Sequence, residues 1–284
     1  MSKYELKYIT AVLIYGSIGY VLHFVSLPSE LVVLARGVIG SLFIFLFLKL
    51  TKRNIDIKAI KNNLKVLIIS GIALGLNWVF LFASYRVGTV AVGSLCNYMA
   101  PIILVILSPF LYKEKISFKQ VLCIIAALIG IVLVSGVIEN NNQISLSCVV
   151  LGLLAAACFV VIVVYNRKLK DISVYDKVVV QLAISALTVL PYAVINNLNT
   201  SIVVNTQSLI LVILLGVFHT GFAYCLYFGS INEVPVQKMA ILGYIEPVAS
   251  VLVSALLLHE PITHFGIIGA VLILVSACLS EIMK

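Results

Sequence analysis

The sequence predicts an all-α polytopic membrane protein of ten transmembrane helices, arranged as two inverted five-helix repeats with both termini in the cytoplasm. Three observations predict it. Of the 284 residues, 62% are hydrophobic and only 11% are charged, where a soluble domain carries about 25% charged residues. The basic residues gather on one side of an alternating series of apolar runs. The two halves of the chain also match each other at a fixed offset.

Ten segments reach the length of about 20 apolar residues that a spanning helix requires. They are roughly 6–26, 31–50, 65–85, 89–111, 118–138, 146–166, 175–195, 208–229, 236–258 and 264–283. The first begins near Leu6 and lacks a small-residue cleavage site, so it reads as a retained helix and not a signal peptide. With the N-terminus placed in the cytoplasm, that end holds Lys3 and Lys7, and the second loop collects Lys49, Lys52, Arg53, Lys58, Lys61 and Lys65. Lys113, Lys115 and Lys119 fall in the fourth loop, and Arg167, Lys168, Lys170 and Lys177 in the sixth. Lys238 lies near the eighth loop and Lys284 at the C-terminus. Of the 19 basic residues only Arg36 and Arg86 are left over, which by the positive-inside rule puts both termini in the cytoplasm. The net charge of +8 is therefore a topology signal, and no nucleic-acid partner is expected.

The halves align without gaps at an offset of 146 residues across helices three to five and eight to ten. Gly75 then meets Gly221, Phe82 meets Phe228, Ser84 meets Ser230, Tyr98 meets Tyr244, Pro101 meets Pro247 and Glu114 meets Glu260. Five helices is an odd number, so the second copy (146–284) lies upside down relative to the first (1–138). Inverted repeats place a substrate site near the bilayer midplane between the halves, with alternating access. The ninth segment carries Glu246-Pro247 near its middle. A carboxylate at membrane depth costs about 3 kcal/mol or more, and it persists where it faces a cavity or a partner.

The chain resembles the drug/metabolite transporter superfamily, in its ten-helix form with two EamA repeats. The resemblance rests on Tyr15-Gly16-Ser17 and Ala35-Arg36-Gly37, on Ala100-Pro101 with Lys113-Glu114-Lys115-Ile116-Ser117, and on Ile245-Glu246-Pro247 with His259-Glu260-Pro261-Ile262-Thr263. It covers essentially the whole chain. Tyr15 stands where the family usually has Trp. The resemblance implies a secondary transporter of the plasma membrane, often an exporter, driven by proton coupling or exchange. Its partners would be a small-molecule substrate, the lipid bilayer and protons, and it would act as a monomer or homodimer with no cofactor. Amino acids or similar zwitterions are the expected cargo. Organic cations such as choline, or drugs, are the alternative, and lipid flipping is a further one.

Candidate site residues follow from depth and chemistry. Asn77, Trp78, Asn97, Tyr98, Tyr224, Tyr227 and Tyr244 form an aromatic and polar set suited to an ammonium group and to a carboxylate or amide; the competing reading is packing or interfacial anchoring. Glu246 is a proton-coupling or cation-binding carboxylate, or else an architectural one, and His219 is a proton relay or a hydrogen-bonded core residue. Pro101 and Pro247 are hinges or static kinks. Arg36 could bind a substrate carboxylate, snorkel to the outer interface or satisfy backbone carbonyls. No two of the four histidines share the i, i+4 spacing of a metal site, and the six cysteines show no CxxC spacing. GxSxG and HExxH are absent, and Asp56, Asp171 and Asp176 all fall in cytoplasmic loops, so no intramembrane enzyme is expected.

Overall fold

The computed structural model describes residues 2–112, 117–134, 146–197, 205–230, 233–234, 242–260 and 263–282. Among them there are helices and no strands. Lys113–Ile116 with Glu114, the end of the fifth predicted segment, the start of the ninth, Lys238, Pro261-Ile262 and Lys284 lie outside the described residues.

Each helix starts where its local chemistry allows. α1 (Lys3–Gly16) opens with a capping box, in which Ser2 and Glu5 bond each other's backbone amides, and α2 (Ile18–His23) continues it past Ser17. α3 (Ser29–Leu50) follows Pro28. Asp56 caps the short α4 (Ile57–Asn62), which leads into α5 (Leu64–Val87). Thr89 caps α6 (Val90–Asn97), and after a break at Tyr98 and Met99 the chain resumes as α7 (Ala100–Tyr112). A Ser117/Gln120 capping box opens α8 (Phe118–Val134), with bonds of 2.8 and 3.3 Å. α9 (Leu146–Asn166) and α10 (Val174–Asn197) follow. α11 (Thr206–Leu214), capped by Asn205, passes into a π-helical stretch (Leu215–Phe222) and then α12 (Ala223–Phe228). α13 (Ile245–Leu257) and α14 (His264–Ile282) complete the chain, and Thr263 caps α14.

Seven spans are long and apolar enough to cross a membrane, counting α1–α2, α6–α7 and α11–α12 as one each. Three shorter apolar helices, 118–133, 245–257 and 264–279, stand at the fifth, ninth and tenth predicted positions. The described residues thus form an all-helical array with the repeated apolar spans of a polytopic membrane protein.

Pro101 and Pro247 each stand just past a break in the helical backbone. Each lies in the first turn of its helix, α7 or α13, where a missing N–H removes no intrahelical bond. The interruption precedes them, at Tyr98-Met99 and at Tyr244. The prolines inside helices are Pro109 in α7 and Pro191 in α10.

Contacts divide the chain into two units, each drawing on both sequence halves: Met1–Val79 with Val161–Val234, and Phe80–Val160 with Pro235–Lys284. In the first, small residues bring helices together, as expected where lipid offers no hydrophobic drive between them. A methyl at Gly37 of α3 would lie 2.9 Å from the Cβ of Ala186 on α10, and one at Gly75 of α5 would lie 2.9 Å from the Ser185 carbonyl. Gly40 on α3 packs against Thr220, and Gly216 in the π stretch packs against Ile39. Polar clasps join the loops. Asn63 donates to the Lys170 carbonyl at 2.8 Å and accepts its amide at 3.1 Å, and Ser208 accepts the Ser26 amide at 3.0 Å.

In the second unit α8 packs on α14 at Gly130, where a methyl would stand 2.8 Å from the Gly269 carbonyl. Ala127, Ala270, Ile273 and Ala277 are buried there. Leu122, Ile125, Leu128, Ile129 and Val132 form an exposed stripe on α8, as do Ile267, Val271, Val275 and Leu279 on α14. Exposed aliphatic faces of this kind suit contact with lipid.

Candidate functional site

The predicted site residues divide between the two units. Asn77, Trp78, His219, Tyr224 and Tyr227 belong to the first, and Asn97, Tyr98, Pro101, Tyr244, Glu246 and Pro247 to the second.

In the first unit the centre is Arg36, which is 2% exposed. It lies among the helices and not at the outer interface, so the snorkelling reading is corrected. Its guanidinium stands 4.3 Å from the centroid of Trp78, a cation–π contact. Arg36 Nε donates to Thr220 Oγ1 at 3.0 Å, and the Thr220 hydroxyl donates to the Leu215 carbonyl at 2.9 Å. That i−5 bond follows the π-helical register, in which the adjacent His219 and Thr220 are both buried. Single π turns inside α-helices occur often at functional sites. His219 Nε2 lies 3.1 Å from Ser17 Oγ, at the junction of α1 and α2. Asn77 and Trp78 are buried, so neither is an interfacial anchor.

Tyr224 and Tyr227 join a wider aromatic cluster on α1 and α12. The Tyr227 ring lies tilted, 5.1 Å from that of Tyr8 and 6.0 Å from that of Tyr15, and Tyr224 meets Tyr15 edge-on at 5.6 Å. Tyr224 and Tyr227 also contact Phe228.

In the second unit Tyr98 and Tyr244 occupy matching places, each beside a point where a helix begins. Glu246, half-buried in the first turn of α13, accepts a hydrogen bond from the Tyr98 side chain. Ser94 on α6 bonds Ser250 on α13 at 2.7 Å and Tyr85 at 2.9 Å. Glu260 accepts from the amide of Val90 at 3.0 Å and from the Ser254 hydroxyl.

Sequence reasoning left Ser17, Thr220, Tyr15, Ser94 and Ser250 out of the site, and it weighed Arg36 without including it. Arg36 carried a signal, being a charge in the eighth position of a 22-residue apolar helix. The serines and Thr220 carried none, because hydroxyls in membrane helices commonly bond their own backbone.

Comparison with known proteins gives a consistent picture. The sequence profile of the EamA-like transporter family matches residues 3–136 and again 146–281. "Uncharacterized transporter YxxF" of Bacillus subtilis is 23% identical over 282 residues, covering 98% of this chain and 89% of that one. A "Probable amino-acid metabolite efflux pump" of Salmonella typhimurium is 27% identical over 205 residues, covering 69% of each. A solved crystal structure at 20% identity covers 99% of this chain and 98% of its own, with a TM-score of 0.66. At that identity the likeness concerns the fold alone.

Proposed function

We propose a function from one premise: the chain belongs to the EamA-like transporter family. It is a secondary transporter of the plasma membrane, exporting amino acids or similar zwitterions by alternating access and coupled to protons or to exchange. No enzymatic step is assigned to it.

The observation that carries the site is the Tyr98–Glu246 bond. It joins a side chain of the first sequence half to the Glu-Pro element of the second, beside the start of α13. Discontinuous helices with ionisable groups at their ends are where transporters of inverted-repeat design bind cargo and coupling ions. The amino-acid assignment draws on the name of the Salmonella relative, at 27% identity.

Ten helices in two inverted repeats, 1–138 and 146–284 with both termini cytoplasmic, remain part of this proposal. The double family match supports it. So do repeat-related Gly75 and Gly221, each at a close approach: Gly75 to Ser185 on α10, Gly221 to Phe43 on α3. Ser84 and Ser230 likewise make the same bond three residues back, at 2.7 Å to Leu81 and Tyr227. The Tyr8, Tyr15, Tyr224, Tyr227 and Phe228 cluster favours a second reading, transport of an organic cation such as choline, since aromatic faces attract quaternary ammonium.

A thermal-shift panel on purified protein separates the readings, because a ligand that binds the folded state raises the melting temperature. Amino acids should raise it, and Tyr98→Ala or Glu246→Gln should remove the effect. A shift from quaternary amines alone would replace the first reading with the second. Stabilisation by phospholipids only would move lipid flipping ahead of both.

A further inference from the structure

The connection between α3 and α5 stays at the membrane boundary, since the spans on either side end at Leu50 and begin at Leu64. α3 closes in a Schellman turn. Lys52 takes a left-handed φ of 54°, its amide donates to the Lys49 carbonyl at 3.1 Å, and the Arg53 amide donates to the Leu48 carbonyl at 2.9 Å. The chain therefore turns at once, and α4 follows.

Two clasps fix which face of α4 looks inward. The Asp56 amide donates to the Asp176 carboxylate at 3.3 Å, and the Asn63 side chain bonds both the amide and the carbonyl of Lys170. Ala59 and Asn63 are buried on this side. The helical spacing carries on through Asn63, whose amide donates to the Ala59 carbonyl at 3.2 Å. On the opposite face Ile57, Lys58, Lys61, Leu64 and Lys65 are all exposed. At about 100° per residue they fall within one arc of about 120°.

That face mixes two chemistries. Ile57 is 64% exposed, Leu64 is 44% exposed, and Leu50 before the turn is 84% exposed. Lysines alone would suit water, and aliphatics alone would suit hydrocarbon. The two interleaved at the end of a span suit the plane between them: aliphatic tips enter the acyl region, and long lysine stems carry the charge up to the headgroups. The sign of the charge selects the lipid. From Lys49 to Lys65 there are six basic residues and one acidic residue, Asp56, whose carboxylate is engaged by the Ala59 amide at 2.9 Å.

We propose that this face of α4 and the first turn of α5 is a docking surface for anionic phospholipid headgroups, with Lys58, Lys61 and Lys65 pairing with their phosphates and Ile57 and Leu64 entering the acyl boundary. In the orientation proposed above, these are lipids of the cytoplasmic leaflet, which carries a negative surface potential. The surface serves whatever the cargo. Through the clasps, a bound headgroup steadies the α9–α10 connection as well as its own.

The full chain is placed in nanodiscs of phosphatidylcholine, alone or mixed with phosphatidylglycerol, and its melting temperature is read. Phosphatidylglycerol should raise it by about 5 °C, and high salt should remove most of that rise. Lys58→Gln/Lys61→Gln/Lys65→Gln should melt as the parent does in phosphatidylcholine and lose the rise. Lys3→Gln/Lys7→Gln should keep it. A second measurement locates the face. With the six native cysteines replaced by alanine, a bimane on Ile57→Cys should be quenched by doxyl lipid and shielded from aqueous iodide.

An equal rise in the triple variant, no rise in the parent, the same rise from inorganic phosphate in phosphatidylcholine discs, or a bimane open to iodide would overturn the docking surface. Each of these leaves the transporter reading standing. A rise that vanishes with the three lysines comes from this surface and not from a transported lipid, which keeps docking and flipping apart. If the triple variant does not fold, the salt dependence and the bimane decide.

Discussion

Glu260 shows how much one side chain carries beyond its place in the sequence. It follows the end of α13 (Ile245–Leu257). His259 adopts a left-handed φ of 52°, and the Glu260 amide donates back to the Ser254 carbonyl at 3.1 Å, which satisfies one of the helix's last carbonyls. The same residue then reaches the amide of Val90, in the first turn of α6. A carboxylate there meets an amide without an intrahelical partner and the positive end of the helix dipole. Glu260→Ala should therefore lower the stability of purified protein by about 1–2 kcal/mol, read as a drop in melting temperature. Glu260→Gln keeps one acceptor and should lose less; equal losses would show that charge and acceptor do not matter. The tie to Val90 could not be read from the sequence, since it joins residues 170 positions apart. The burial of Arg36 was hidden for a related reason: it depends on how closely α3 meets the π stretch at Gly40 and Gly216.

Most helices were legible because their signals are local. Apolar length sets the spans, and caps such as Ser117/Gln120 and Thr263 act within three residues of their own position. A proline can kink a helix or open one, and the backbone on its N-terminal side, broken at Tyr98-Met99 and at Tyr244, is not written in the dipeptide. Leu215–Phe222 was invisible, as an i+5 register leaves no mark on apolar periodicity. Gly71 and Gly75 of α5 meet α10, at Ile184 and Ser185. At Gly75 the obstacle is a backbone carbonyl, which cannot swing aside as a side-chain tip can. Gly75→Ala should destabilise by about 1–3 kcal/mol, seen as a lower melting temperature and a smaller monodisperse fraction on size exclusion. Unchanged stability would mean that α5 and α10 do not meet at this contact.

For the molecule as a whole, the repeat offset and the charge pattern could be read without coordinates because both are written along the chain. The division of the site between two contact units could not, since each unit mixes both halves. The orientation makes a direct prediction. With the six native cysteines replaced by alanine, Lys58→Cys should react with a membrane-impermeant maleimide only from the cytoplasmic side, and His23→Cys only from outside. The opposite pattern would invert the topology. The mixing of halves also bears on biosynthesis. Residues 1–79 leave the ribosome before their packing partners at 161–234 exist. The intervening 80–160 segment takes about ten seconds to translate at typical rates. Until then Arg36 has neither Thr220 nor the π stretch to receive it. The nascent helices must be sheltered by the insertion machinery or by lipid during that interval, and a cell lacking such shelter would lose this protein to quality control before its second half emerged.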